Sequence, residues 1–164
     1  MKLRLHDILD RPGAKKSFSF DLDLRDLSFA QIAAMHGSFP VTGEVCNMAG
    51  ALTLYGTISV DMACLCDRCT TTIPRRAEIP VTAHLAETLV DEENPDIFLL
   101  DGGMVDLEDV FTTAFVLSLD SKNVCREDCR GLCQSCGKNL NAGDCDCRSE
   151  TDPRFAALQQ LLDQ

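Results

Sequence analysis

The chain has no tryptophan and a single tyrosine among 164 residues. It therefore has few of the large aromatic faces on which proteins stack bases or clamp a flat cofactor. Long apolar runs are missing too: nothing approaches the roughly 20 residues that a membrane-crossing helix needs. The opening residues, MKLRLHDILDRPG, are broken by charge every second or third position. Without the continuous apolar segment of a secretion signal, the expected location is a reducing cytoplasm. No glycine loop is placed to cradle a phosphate, and Asp101-Gly102-Gly103 reads as a turn. His6, His36 and His84 stand apart from any serine or cysteine in a nucleophilic arrangement. These absences leave no assembled active site, and the expectation is a protein that is not an enzyme and has no small-molecule substrate.

Positive charge is also scarce. The formal net charge is −11, with 15 basic against 26 acidic residues. That excludes a broad electrostatic footprint for nucleic acid, which needs a basic face. It favours a basic protein partner or a small, local RNA contact. No basic residue lies between Arg76 and Lys122, whereas Glu87 to Asp109 carries nine carboxylates. The DEENPD stretch within it reads as a solvated acidic loop.

What is present is an ordinary apolar content of 45%, enough for a core. Residues 52, 54, 58, 60 and 62 are apolar, and Gly56 falls on the same face. Thr53, Tyr55, Thr57, Ser59 and Asp61 alternate with them. This period of two predicts a half-buried strand. PVTGEVCN before it predicts a partner strand turned at Ala49-Gly50, and Ile79, Val81, Ala83 and Leu85 predict a third. Asp106 can cap a helix near 106–119, with Leu107, Val110, Phe111, Ala114 and Leu117 on one stripe. Pro153 suits the first position of a short closing helix. The expected fold class is α+β: an antiparallel β-sheet with one or two helices over residues 1–120, then a C-terminal cysteine-rich tail and closing helix over 121–164, packed on the sheet.

Ten cysteines in a reducing compartment point to metal rather than disulfides. Cys133 and Cys136, two residues apart, can offer two sulfurs to one tetrahedral edge, and Gly137 lets backbone N–H groups turn toward them. Cys145 and Cys147 supply a second pair, closing a structural rather than catalytic site. Cys125 and Cys129 form a further pair, and so do Cys66 and Cys69 at the end of the best strand. These four could make a second site that staples the tail to the sheet, although the spacing admits other partitions of the eight. The expected cofactor is zinc, one or two ions, with iron also compatible with sulfur ligation. A thiol redox role for Cys66 and Cys69 is the weaker reading, because Thr70-Thr71-Thr72-Ile73-Pro74 favours extended chain where a redox motif opens a helix. Cys46 and Cys64 read as packing residues.

The order Cys66-Asp-Arg-Cys69, Val105-Asp-Leu-Glu-Asp, Cys125, Asp128-Cys129-Arg-Gly-Leu-Cys133-x-x-Cys136-Gly, Asn139-Leu-Asn141, Cys145-x-Cys147 and Asp152-Pro-Arg154 resembles the YceD family in its cysteine-rich form, from about Val41 to Leu162. The resemblance implies a factor for accumulation of large-subunit ribosomal RNA and assembly of the large ribosomal subunit. It also implies a partner, because genes of this family often neighbour that of a small zinc-ribbon ribosomal protein. A basic large-subunit ribosomal protein, precursor large-subunit rRNA, or both are the expected partners. Arg68, Arg75, Arg76, Arg130 and Lys138, near the cysteines, are the residues expected to make any local contact. A direct nucleic-acid-binding zinc module is the main alternative.

Overall fold

Period-two alternation extends further along this chain than its central strand, and it builds a six-stranded sheet beside a separate two-stranded pair. The structure, a computed structural model, describes residues 1–25, 27–88 and 97–147. The acidic 91–96 stretch and the expected closing helix at Pro153 lie outside the described residues. Strands β1 (Lys2–Arg4), β2 (Lys15–Leu22), β3 (Ile32–Met35), β4 (Phe39–Met48), β5 (Ala51–Leu65), β6 (Thr72–Ala86), β7 (Ile97–Leu99) and β8 (Met104–Asp106) are joined by two helices, α1 (His6–Leu9) and α2 (Leu107–Ser118). The main sheet runs β2-β4-β5-β6-β7, and β3 lies beside β4 along the same edge of β5. All its pairings are antiparallel except β6 with β7.

The expected strand over 52–62 is the middle of the longer β5, and its predicted partners are β4 and β6. Ala49 and Gly50 make the β4–β5 turn, both at positive φ, which Gly50 tolerates without a side-chain clash. β2 alternates by the same rule: Phe18 and Leu22 are buried while Ser17, Ser19 and Asp21 face out.

Apolar residues of one sheet face are roofed by α2. Asp106 caps it as expected, its carboxylate accepting from the Glu108 N–H. Leu107, Val110, Phe111 and Phe115 are its buried stripe. Leu117 departs from the expected stripe and is 77% exposed. The helical period of 3.6 makes Phe115, rather than Leu117, the next inward position after Phe111. The rings of Phe18 and Phe20 meet Phe111 edge-on at 5.7 and 5.8 Å. Buried Asn47 donates from its side-chain amide to the carbonyls of Ile8 and Leu9, both at 2.7 Å, tying α1 to β4. Among the described residues no helix is long and apolar enough to cross a membrane.

Gly56 sits directly beneath α2. A Cβ there would lie 2.6 Å from Phe111 Cζ and 3.1 Å from the Thr42 carbonyl oxygen. Phe111 is fully buried and has nowhere to retreat. Gly56→Ala is therefore expected to lower stability by about 1–3 kcal/mol, read as an earlier denaturant midpoint with an unchanged slope.

Candidate metal centres

The hairpin between the two longest strands is itself the first cysteine pair. β5 and β6 pair out to Leu65 and Thr72, and Cys66-Asp67-Arg68-Cys69 closes the turn. The Cys66 N–H bonds the Thr71 carbonyl at 2.9 Å, and the Thr70 N–H bonds the Cys66 carbonyl at 2.8 Å. Thr70 takes a positive φ of 55°. The pair thus closes a turn, and the chain after it enters β6 at Thr72 rather than a helix.

The chain beyond α2 returns to this turn. Asp67 and Asn123 exchange two bonds, Asp67 N–H to the Asn123 carbonyl at 2.8 Å and Asn123 N–H to the Asp67 carboxylate at 2.6 Å. Arg75 reaches the Asn123 side-chain oxygen at 3.3 Å and forms an ion pair with Asp120. With the segment so placed, Cys66 Sγ lies 3.9 Å from Cys129 Sγ, and Cys69 Sγ lies 3.7 Å from Cys125 Sγ. All four sulfurs fall within 4.8 Å of one another. Cys66, Cys69 and Cys129 are buried, packed by Ile73, Val124 and Leu132.

A second group of four, Cys133, Cys136, Cys145 and Cys147, meets the same 4.8 Å limit. It is local and more exposed, with Cys136 and Cys147 at the surface. Its first pair lies in a tight turn: the Cys133 N–H bonds the Lys138 carbonyl and the Gly137 N–H bonds the Cys133 carbonyl, both at 2.9 Å. Gly137 has a φ of 71°, which glycine adopts without a side-chain clash.

The donor chemistry fits a tetrahedral ion. Zn–S bonds of about 2.3 Å place neighbouring sulfurs about 3.8 Å apart, whereas a disulfide needs about 2.05 Å. The protons on these sulfurs are unevenly held. Burial pushes the Cys66 thiol up, but N–H groups of Cys125, Cys69 and Arg68 outweigh it and bring it down to about 6. Burial and the neighbouring sulfurs push Cys125 up to about 12. In the second group, the N–H groups of Cys136 and Ser135 draw Cys133 down to about 6, and the hydrogen bond with Cys136 lifts Cys147 to about 12. Four thiolates at this spacing repel one another, so only an ion at the centre can hold all of them deprotonated. Both groups could hold a metal ion.

Cys46 and Cys64 are buried and belong to neither group. The five expected contact residues are mostly engaged within the chain. Arg76 pairs with Asp61, Arg130 with Asp144, and Arg75 with Asp120. Lys138 donates to the Asp144 carbonyl at 2.5 Å. Arg68 donates to the carbonyls of Glu127 and Cys129 at 3.1 and 3.0 Å and makes no ion pair among the described residues. It lines a concavity of about 520 Å³ with Lys122, Val124, Arg126 and Glu127. Sequence reasoning gave no role to Thr71, Asn123, Asn139 or Asn141, all of which contact the first group or the turn that carries it. Asn139 and Asn141 stand in the signature quoted above, but nothing local assigns any of the four a role, because the roles arise from contacts made on folding.

A family model described as large ribosomal RNA subunit accumulation protein YceD matches residues 54–162, a span that includes all eight clustered cysteines. An uncharacterized protein of Mycobacterium tuberculosis is 31% identical over 120 residues, covering 71% of this chain and 58% of its own length. One from Mycobacterium bovis matches equally, and one from Mycobacterium leprae is 28% identical over 111 residues, covering 65% of this chain and 51% of its own. The chain thus spans little more than half the length of the curated relatives it matches. No solved structure matches it.

Arg68 and Arg76 lie close in sequence yet differ in what they hold. Arg68→Ala should speed amide exchange at Cys129 and Leu132, whose loop it braces, while amides of β4 and β5 stay protected. Arg76→Ala removes an exposed pair with little energetic weight and should leave both sets unchanged. Equal effects of the two substitutions would contradict the bracing role.

Proposed function

Because the chain belongs to the YceD family of large ribosomal RNA subunit accumulation proteins, we propose that it is a non-enzymatic cytoplasmic factor for large ribosomal subunit assembly. It acts by binding a basic large-subunit ribosomal protein. The family match carries the reading, and the charge supports the partner. In this reading each four-cysteine group holds one zinc ion through four thiolates, a closed structural arrangement with no open position for a substrate water. Two such centres take the formal charge from −11 to about −15. Arg75, Arg76 and Arg130 are already paired with carboxylates, which reduces the positive charge these three offer a polyanion. Residues 1–120 form the body, and 121–164 form a tail fixed to it through Cys66 and Cys69.

A second reading, a direct RNA contact, is favoured by one observation. Arg68, Lys122 and Arg126 share a concavity with a single carboxylate, Glu127, and Lys122 makes no ion pair among the described residues. This contact would be local and would weaken with salt.

Three outcomes are expected. Elemental analysis of protein purified anaerobically should find two equivalents of zinc; one would reject a two-centre arrangement and none would reject the metal. Acidification should release the ions to a chelator, because each sulfur that regains a proton is lost as a ligand, and release independent of pH would count against thiolate ligation. A tagged chain should recover a large-subunit ribosomal protein from lysate, and that capture should survive nuclease treatment. Capture lost on nuclease treatment would favour the RNA reading, and recovery of neither ribosomal protein nor large-subunit precursor would sink both.

A further inference from the structure

Between Cys136 and Cys145, the loop of the second centre carries two asparagines that reach back to the first. The Asn141 side-chain amide donates to Cys129 Sγ at 3.3 Å. Its oxygen is held by the Arg130 N–H at 2.9 Å and the Arg126 guanidinium at 2.8 Å, so the amide orientation is fixed. The Asn139 side-chain amide donates to the Thr71 hydroxyl at 3.4 Å, and that hydroxyl lies 3.2 Å from Cys69 Sγ. Asn139 Oδ1 in turn accepts from the backbone and side-chain amides of Asn141, at 3.0 and 2.9 Å. The two asparagines therefore address two sulfurs of the first group, one directly and one through Thr71.

We propose that Asn139 and Asn141 are positioning residues that couple the two metal centres, so that an ion in the exposed second centre tightens binding in the buried first one. This rests on the reading that both groups hold metal. N–H donors spread the charge of a metal-bound thiolate and fix its direction, and outer-shell partners of this kind typically change metal affinity by about 10–100-fold. An ion among Cys133, Cys136, Cys145 and Cys147 orders the loop that presents both asparagines. Metal in the second centre thus prepares the outer shell of the first. The coupling must run equally in the other direction, because it is a property of two binding equilibria. The second group is also the easier to close, since its ligands are near in sequence, whereas Cys66 and Cys129 lie 63 residues apart.

Cobalt(II), whose tetrahedral thiolate complexes absorb visibly, is the probe. In the chain carrying Cys136→Ser/Cys147→Ser the first centre should still bind one cobalt, but about 10–100-fold more weakly than in the unmodified chain. Cys69→Ser/Cys125→Ser should weaken the second centre by the same factor. Asn139→Ala/Asn141→Ala keeps all eight cysteines and both centres, and guards against misfolding in the serine variants. It should weaken the first centre, and adding Cys136→Ser/Cys147→Ser to it should cause no further loss. Asn141→Ala should also move the sulfur-to-cobalt charge-transfer band of the first centre to lower energy, a shift that a generally loosened tail would not give. Unchanged first-centre affinity, within about twofold, in both the serine and the asparagine variants would overturn the coupling while leaving two metal centres in place. Failure of the unmodified chain to take up cobalt or zinc would overturn the metal reading and the coupling together.

Discussion

Mutual repulsion among four closely spaced sulfurs governs the end of the molecule where the sheet meets the tail. Sulfurs from a hairpin turn and from the segment beyond α2 lie 3.7–3.9 Å apart across the group. At that distance the protons cannot all leave unless a cation replaces them. The surrounding hydrogen bonds point the same way. Backbone N–H groups aim at Cys66 and Cys133, and Asn141 aims at Cys129. The side chains of Arg68 and Arg75 then secure the returning segment through Cys129 and Asn123 oxygens. Among the described residues, Ile73, Val124 and Leu132 are the partly buried apolar side chains that pack around this cluster.

The two groups share a ligand set but not an environment. The first has three of its four cysteines buried and joins segments far apart in sequence. The second is exposed and closes a short loop. Loop closure over long separations constrains the unfolded chain more, so the first group bears on the placement of the tail and the second on the local shape of residues 133–147. Among the described residues, Asn139 and Asn141 are the side chains of the second loop that bond to the first group or its turn.

Much of this was legible in the sequence where one physical rule acted alone. Alternation marked β4, β5 and β6, and the Asp106 cap marked the start of α2. Paired cysteines gave the two candidate groups, although their grouping needed three-dimensional contacts. Other features depend on partners distant in the chain. β3 is four residues long and pairs with the far end of β5, and β1 is fixed by β8 about a hundred positions on. β2 carries the same alternating signal in Ser17, Phe18, Ser19 and Phe20, and Pro12-Gly13 marks the turn before it, so it was as legible as the others. Leu117 shows the limit of a stripe drawn from apolarity alone: helical phase, not composition, turns it outward.

The single tyrosine has a consequence for watching this molecule at work. Tyr55 lies on the sheet face opposite α2, 42% exposed, between Glu44 and Thr82 in register. With no tryptophan in the chain, near-ultraviolet emission comes from that one phenol. The protein thus carries a site-specific optical label on its outer face, far along β5 from the cysteine turn. A tryptophan-free ligand that settles over this face would alter the signal directly, and one that docks at the tail would leave it nearly unchanged.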